Sequence, residues 1–406
     1  MRFGTDGVRG EAGVVVTEAL AAALGNALVR ALGPDIWLAR DTRASGPALL
    51  AAAAEGVRAA GGRATVLGVL PTPGLSARVR DEGADGGLMV TASHNPPQDN
   101  GLKVLGTGGG KLGAATLTQL EHGLSHALSA EGGSLRELPG ETAYVDTLIR
   151  ALPAGASLAG KTVLFDGARG AAARVGVEVL TRLGARVVAF EGQDINVGCG
   201  AVHPEHAARA LRDCGADLGL AVDGDGDRIA LIDGAGRVLD GDAILWLCRQ
   251  GPTMVGTVMT NLGLERALAR EGIALVRTAV GDANVAEAMH AGGHAVGGEP
   301  SGHLIFAAGP PTADALYAGL LALTLHPSLD LAGYAPCAQS HAAVRNVRLA
   351  ELDLQFVAAA GARAVVRPSG TEPVVRVMVE HEDAALAESL RDRVVALIHA
   401  GQSAPR

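Results

Sequence analysis

Three segments of the chain share one pattern of apolar and polar positions. In each, a short apolar run ends at a polar residue, a stretch with helical spacing follows, and a glycine precedes a second apolar run. This order predicts a βαβ unit, in which a helix closed by glycine connects two buried strands. The segments are DIWLARDTRASGPALLAAAAEGVRAAGGRATVLGV, KTVLFDGARGAAARVGVEVLTRLGARVVAF and VGTVMTNLGLERALAREGIALVRTAVGD, with polar residues Asp41, Asp166 and Asn261 and glycines Gly61, Gly184 and Gly272.

The C-terminal part of the chain follows a different pattern. AVRNVRL and ARAVVRPSGTEPVVRVMVE are typical of strands, and DAALAESLRDRVVALIHA has helical spacing. The sequence therefore predicts three similar α/β domains, each with a mixed sheet sandwiched by helices, and a small C-terminal α+β domain. The predicted bounds are 1–140, 141–237, 238–337 and 338–406.

Composition narrows the class of protein. Of the 406 residues 48% are hydrophobic but only 2% aromatic, so Ala, Val and Leu must build the cores. The net charge of −9 argues against a nucleic-acid-binding protein, which usually carries a basic stripe. The four cysteines are widely spread, which predicts buried free thiols in a reducing cytosol rather than a zinc site or disulfides. No signal-like or membrane-length apolar segment is present, and we expect a soluble cytoplasmic protein.

A cluster of carboxylates follows one apolar run. LGLAVDGDGDRIALID places Asp223, Asp225 and Asp227 at alternating positions, where functional groups gather at strand ends in α/β domains. Oxygen ligands favour Mg²⁺ or Ca²⁺ over zinc. An EF-hand is excluded because Arg228 and Gly234 occupy the positions of its glycine and its last glutamate. The sequence predicts a catalytic metal site with open positions, and the alternative is a solvated acidic turn.

Two further loops carry groups that suit a phosphorylated sugar. VVRPSGTEPVVRV predicts an anion cradle between two strands, in which an arginine fork, hydroxyls and free backbone N–H groups surround a phosphate; a plain hairpin turn is the alternative. GGEPSGHLIF offers donors and acceptors for sugar hydroxyls. The cradle residues are Arg367, Ser369, Gly370 and Thr371, and the sugar-loop residues are Glu299, Ser301 and His303.

Arginines also occur in two glycine-rich loops, FGTDGVRG and ARDTRASG. Taken singly, each of them is expected to be a solvated arginine of a surface loop. These residues are Arg9, Arg40 and Arg43.

TASHNPPQDNGLKV follows the apolar run GGLMV and contains the candidate nucleophile. Ser93 stands at a strand end beside His94 and Asn95, and two prolines restrict the loop that follows. A phosphoryl group on Ser93 would bring an oxygen to the metal, and a rigid loop would position it for transfer. An ordinary turn is the alternative, because Ser, Asn and Pro are common turn residues.

Four motifs in this order, TASHNP, DGDGDR, GEPSGH and RPSGTEP, resemble the α-D-phosphohexomutase superfamily and span nearly the whole chain. MRFGTDGVRG, TNLGLE and VVRVMVE are similar to its bacterial phosphoglucosamine mutase branch. The resemblance implies four domains around a central cleft. It also implies a phosphoserine at Ser93 and one Mg²⁺ per chain, held by Asp223, Asp225, Asp227 and that phosphoserine.

The activity implied by the resemblance is interconversion of glucosamine 6-phosphate and glucosamine 1-phosphate through a 1,6-bisphosphate, for UDP-N-acetylglucosamine synthesis. A glucose or glucosamine 1,6-bisphosphate would act as activator. Glu299 and Ser301 would hold sugar hydroxyls, and the cradle residues would hold the phosphate that is not reacting. A homodimer is compatible with the resemblance, although the sequence does not define the oligomeric state.

The resemblance also suggests catalytic roles. Arg228 and Lys103 would neutralise charge during transfer, and His94 lies beside the nucleophile. Lys103, His303 and Arg9 are candidates for proton transfer, among which the sequence does not choose.

Two departures from the branch keep alternatives open. The branch often has an Arg-Tyr pair after VGD, where this chain has VGDANV at 280–285, and the chain is somewhat short. A mutase for glucose or mannose phosphates is therefore one alternative. A sugar-phosphate-binding protein without turnover is the other.

Overall fold

A computed structural model describes residues 7–125, 132–347, 352–369 and 372–400, and in these ranges it contains four β-sheets that follow one another along the chain. The first sheet has the order β1-β5-β4-β2-β3-β6. Its strands are β1 Val8–Glu11, β2 Asp35–Arg40, β3 Arg63–Val69, β4 Gly86–Val90, β5 Asp99–Leu105 and β6 Ser134–Glu137, and its helices are α1 Glu18–Leu32, α2 Gly46–Ala59, α3 Thr72–Asp81 and α4 Ala114–Gly123.

The second and third sheets repeat this mixed plan, with the orders β11-β10-β9-β7-β8 and β13-β12-β14-β15. The second comprises α5 Glu141–Ala151, β7 Thr162–Asp166, α6 Ala173–Arg182, β8 Arg186–Phe190, α7 Pro204–Cys214, β9 Leu218–Val222, β10 Ile229–Ile232 and β11 Val238–Leu239. The third comprises α8 Gly241–Leu247, β12 Thr253–Thr257, α9 Leu262–Arg270, β13 Ala274–Thr278, α10 Asp282–Gly292, β14 Val296–Gly298, β15 Leu304–Phe306 and α11 Ala315–Leu325.

The fourth sheet is antiparallel, with the order β16-β18-β17, and one long helix packs on it. Its elements are β16 Ala338–Arg345, α12 Gln355–Ala359, β17 Arg363–Pro368, β18 Val374–His381 and α13 Ala384–Ala400. The predicted strand AVRNVRL is partly wrong, because the strand ends at Arg345 and Asn346 takes a left-handed φ of 56°. Residues 348–351 lie outside the described residues.

The three predicted βαβ units are confirmed. β2 and β3, β7 and β8, and β12 and β13 are parallel pairs connected by one helix each. Gly61, Gly184 and Gly272 follow these helices with φ of 79°, 91° and 75°, a conformation that glycine adopts without strain. The predicted fold class, three mixed sheets with helices and a small α+β unit, is therefore correct.

One apolar cluster runs through the first three sheets, and the fourth has its own core. In β2, Ile36 and Leu38 pack with α1 and α2, whereas Trp37 faces α3, so both faces of the sheet are covered. The Trp37 cluster continues through Phe165 of β7 and Leu320 of α11, which packs with the third sheet. This shared core fixes the relative positions of the loops at the ends of the first three sheets.

Three of the four cysteines are buried and free, as predicted, but Cys214 is exposed because it is the last residue of α7. Within the described ranges, none of the helices combines the length and the apolar character needed to cross a membrane.

A buried hydrogen bond connects the second and third units, where a unit is one sheet together with its helices. Asp314, the N-cap of α11, accepts from the Tyr317 backbone N–H at 2.9 Å and from the Tyr144 hydroxyl at 2.8 Å, and burial raises its pKa to about 7. Tyr144→Phe leaves this oxygen without its donor and should lower the free energy of unfolding by about 1–3 kcal/mol in urea titrations. Tyr317→Phe is the control, since its hydroxyl bonds a half-buried carbonyl at Ala151. Equal effects of the two variants would contradict the assignment.

Candidate active site

The predicted nucleophile lies in the loop between β4 and β5. Ser93 is buried, with 1% of its surface exposed, and has a left-handed φ of 51°. Its Oγ donates to Asp223 Oδ2 at 2.7 Å and lies 3.4 Å from His94 Nδ1. Left-handed backbone in a residue other than glycine is strained and clusters at functional sites. The serine is therefore held in an uncommon conformation that directs its hydroxyl at the aspartate loop.

The aspartate loop connects β9 to β10 of the second sheet. One oxygen from each of Asp223, Asp225 and Asp227 lies within 4.8 Å of the others, and all three side chains are buried. Asp223 Oδ1 accepts three backbone N–H groups, from Gly226, Asp227 and Arg228, at 3.1–3.2 Å. The loop thus curls around one carboxylate and brings the other two beside it.

The three carboxylates can hold a divalent cation. Burial raises the pKa of Asp223 to about 7, and the charges of Asp227 and Asp225 act in the same direction. Asp225 Oδ1 is buried and has no hydrogen-bond partner among the described residues. Crowded carboxylates with an unpartnered oxygen fit a hard cation such as Mg²⁺, which prefers oxygen ligands.

Lysine and threonine side chains of the first unit contact the same cluster. Lys103 Nζ donates to Asp225 Oδ2 and to Asp227 Oδ2, both at 2.8 Å. Thr72 Oγ1 donates to Asp225 Oδ2 at 2.6 Å. Sequence reasoning missed Thr72, although its position directly after LGVLP, at the end of a predicted strand, could have indicated it.

The sugar loop, between β14 and β15, reaches the cluster through a histidine. His303 Nε2 lies 3.1 Å from Asp227 Oδ1 and 3.2 Å from Arg228 Nε, and its Nδ1 lies 3.3 Å from Glu299 Oε2. Burial lowers the pKa of His303, but Asp227 and Glu299 outweigh burial and raise it to about 10. Ser301 is exposed in the same turn.

Two arginines act on His94, the residue that follows Ser93. Burial, followed by the positive charges of Arg228 and Arg9, lowers the pKa of His94 to about 4. Arg9 lies on β1, opposite Gly101 of β5, and is half-buried. Both cations therefore act electrostatically on the histidine beside Ser93.

The predicted anion cradle lies at the end of β17. Ser369 donates its backbone N–H to Val374 O at 2.8 Å, and Gly370 and Thr371 lie outside the described residues. Arg367 stands directly opposite Arg376 of β18, and both line a hollow of about 430 Å³ together with Met259 of the third unit. Sequence reasoning missed Arg376, although the alternation of VVRVMVE predicts that it faces away from the valines of the core.

The expectation that Arg43 is a solvated loop residue is wrong. Its side chain is 0% exposed because it bonds Asp41 and backbone carbonyls of the serine loop, which is residues 91–98 between β4 and β5. Arg40 is half-buried, and its Nη1 donates to Asp41 O at 2.9 Å. A carboxylate two residues before an arginine at a strand end was the signal that could have indicated the burial of Arg43.

Three mixed sheets, an antiparallel fourth sheet and a buried serine facing an aspartate loop define a protein of the phosphohexomutase class. The chain belongs to the phosphoglucomutase/phosphomannomutase family. Family models for alpha/beta/alpha domains I, II and III match residues 1–130, 142–236 and 240–328, and the model of the C-terminal domain matches 334–397. Members of this class are isomerases that act as intramolecular phosphotransferases.

Known relatives cover the whole chain. A phosphoglucosamine mutase of Thermus thermophilus is 41% identical over 99% of both chains. The crystal structure of a phosphoglucomutase/phosphomannomutase family protein from Burkholderia thailandensis superimposes with a TM-score of 0.83 at 24% identity, covering 99% of this chain and 98% of the other. The structure of an N-acetylphosphoglucosamine mutase of Aspergillus fumigatus, in complex with GlcNAc-6P and magnesium, superimposes with a TM-score of 0.69 at 17% identity. The match covers 99% of this chain and 96% of the other. The two structures share the fold of this chain.

Proposed function

We propose that this chain is a phosphoglucosamine mutase, which interconverts glucosamine 6-phosphate and glucosamine 1-phosphate. The observation that carries the proposal is the buried Ser93 hydroxyl, 2.7 Å from Asp223 within a three-aspartate loop. Sequence identity of 41% to a phosphoglucosamine mutase along the whole chain supports the choice of substrate. We propose the four domains with bounds 1–140, 141–237, 238–337 and 338–406.

In the proposed reaction Ser93 carries the phosphoryl group. A sugar hydroxyl attacks the phosphorus atom, and the bond between phosphorus and Ser93 Oγ breaks. The proton of the attacking hydroxyl passes to the enzyme. The other phosphoryl group of the resulting 1,6-bisphosphate is then transferred to Ser93 Oγ, and its bond to the sugar oxygen breaks. That sugar oxygen takes up the proton from the enzyme. Sugar 1,6-bisphosphate from solution supplies the first phosphoryl group.

The charges around Ser93 suit this transfer. Asp223, Asp225 and Asp227 would hold one Mg²⁺, which when bound neutralises charge on the phosphate oxygens. Lys103 and His303 contact opposite oxygens of Asp227, so either side chain could exchange a proton near the metal, and Arg9 is the third candidate. Arg228 adds positive charge beside His94.

The remaining loops would bind the substrate. Glu299 and Ser301 share one turn, and we assign them to sugar hydroxyls. Arg367, Ser369, Gly370 and Thr371 are assigned to the phosphate that is not reacting. Two phosphates on one sugar need separate sites, one at the serine and one at this cradle.

The test is a mutase assay with Mg²⁺ and a trace of sugar 1,6-bisphosphate, in which glucosamine, glucose and mannose phosphates are compared. We expect the highest kcat/KM for glucosamine 6-phosphate. A preference for glucose or mannose phosphate would favour the second candidate, a related phosphohexomutase. The segment VGDANV motivates that alternative. Ala283 and Asn284, at the start of α10, stand where the phosphoglucosamine mutase branch often has an Arg-Tyr pair. No turnover of any of the three would contradict both.

Arg376 should add to the phosphate cradle. Like charges directly opposite on neighbouring strands are destabilising, as for Arg367 and Arg376. Glu372 already pairs with Arg376 at 2.7 Å, and a bound phosphate would add a second anion between the two arginines. Arg376→Gln should raise KM for the sugar phosphate about tenfold, because a charge-assisted hydrogen bond to the phosphate is lost. The unfolding free energy should change little, since the pair that Arg376 forms with Glu372 at 2.7 Å is exposed. Arg393→Gln, which removes a cation over the Phe356 ring in the same unit, is the control. An unchanged KM in Arg376→Gln would count against the role.

A further inference from the structure

Arg43 uses its whole guanidinium group within the protein. Its Nε donates to Asp41 Oδ2 at 2.9 Å, and Nη1 donates to the carbonyls of Pro96 and Asp99, the latter at 2.8 Å. Its Nη2 donates to Ser93 O at 2.9 Å and to Asn95 O at 2.8 Å. Four carbonyl oxygens of the serine loop and its end therefore converge on one buried cation.

The carboxylate that pairs with Arg43 also holds the other side of the loop. Asp41 Oδ2 accepts the Thr91 hydroxyl at 2.7 Å, and Thr91 Oγ1 in turn accepts the Ser93 backbone N–H at 2.9 Å. Both the N–H and the C=O of Ser93 are thereby connected to the Asp41–Arg43 pair. This accounts for the left-handed φ of 51°, a strained conformation for a residue other than glycine.

A residue of the second unit holds the same carbonyls. Asn196 Nδ2 donates to Ser93 O at 2.8 Å and to Asn95 O at 3.2 Å. Asn196 belongs to the chain segment that follows β8, and its own φ is 60°. Ser93 is thus held from the first unit by Arg43 and from the second, which carries the aspartate loop, by Asn196.

We propose that Arg43 and Asn196 are positioning residues that together fix the Ser93 loop, so that Oγ lies at the aspartate cluster for phosphoryl transfer. The transfer step itself rests on the proposed function above. Neither side chain bonds Oγ, and both act through the backbone carbonyls. Displacement of a reacting group by about 1 Å can cost a hundredfold in rate, so the loss should appear in kcat. Lysine cannot replace Arg43, because a single ammonium with three donors cannot reach an aspartate and four carbonyls arranged around a planar fork.

The experiment compares Arg43→Lys and Asn196→Gly with the wild type. Glycine keeps the left-handed backbone of residue 196 and removes only the amide. Arg78→Lys is the matched control, since this arginine of the same unit lies over the Trp37 ring and pairs with Glu82. We measure kcat and KM for the sugar phosphate, and separately the hydrogen–deuterium exchange of a peptide spanning residues 91–98.

We expect kcat to fall about a hundredfold in Arg43→Lys and about tenfold in Asn196→Gly, with KM changed less than about twofold. Exchange of the loop amides should be faster in both and unchanged in the control. Added guanidinium should restore part of the kcat of Arg43→Ala, which a loss of overall stability would not allow. Wild-type kcat and unchanged loop exchange in both variants would overturn the inference. If the wild type lacks mutase turnover, the proposed function fails, and the exchange data alone still decide whether the two side chains fix the loop.

Discussion

Ser93→Ala should reduce mutase activity by at least about a thousandfold, because the variant has no oxygen to carry the phosphoryl group. The hydroxyl bonds Asp223, whereas the Ser93 backbone N–H and C=O are held by Thr91 and Arg43, so the backbone of the loop should remain in place. The activity is measured with the glucosamine phosphate and a trace of 1,6-bisphosphate. Mass spectrometry of the peptide that contains residue 93 reports the phosphate directly.

Two companion variants separate chemistry from folding. Ser76→Ala removes another buried serine hydroxyl, which bonds Gly109 O at 2.8 Å, and should keep wild-type kcat. Ser93→Gly should be as inactive as Ser93→Ala. Its free energy of unfolding should be about 1 kcal/mol higher than that of Ser93→Ala, because glycine adopts a φ of 51° without strain. Near-normal activity of Ser93→Ala would contradict the phosphoserine assignment.

The sequence predicted the fold where local pattern determines structure. The three βαβ units follow from apolar runs and from glycines such as Gly61, whose left-handed φ ends a helix. The order of strands within each sheet was not predictable, because it depends on pairing between distant segments such as β1 and β5. The end of β16 was missed for a local reason, since Asn346 adopts a conformation that only context selects.

The candidate site was predictable loop by loop, but not as an assembly. Each motif indicated its own chemistry, and the strand-end rule indicated that the motifs meet. Burial was harder to predict, because Arg43 is desolvated by contacts with Ser93 and Asn95, about fifty positions further along the chain. Asp41, two residues before Arg43, was a local signal of burial. The sequence carries no sign of the distant carbonyl partners of Arg43, and the same holds for the partners of Asn196.

Asp225→Asn should lower activity by at least about a hundredfold and shift the Mg²⁺ concentration at half-maximal activity upward. Asparagine keeps the shape of the side chain but removes the charge, and Asp225 Oδ1 is a buried carboxylate oxygen of this cluster that lacks a hydrogen-bond partner among the described residues. Replacing groups that only support metal ligands already costs 10- to 100-fold, about the lower limit expected for a ligand itself. Chelation of the wild type should abolish activity, and added Mg²⁺ should restore it.

A carboxylate outside the cluster provides the control for this prediction. Asp233→Asn removes a carboxylate that pairs with Arg237 in the turn between β10 and β11, at 2.9 Å, and should leave the Mg²⁺ dependence unchanged. Because Lys103 already contacts both Asp225 and Asp227, and His303 contacts Asp227, an alternative is that the positive charges of these two side chains suffice for the cluster. In that case chelation would leave activity intact and Asp225→Asn would not alter the Mg²⁺ response. These cations leave Asp225 Oδ1 without a hydrogen-bond partner among the described residues, so we expect the divalent cation to be required.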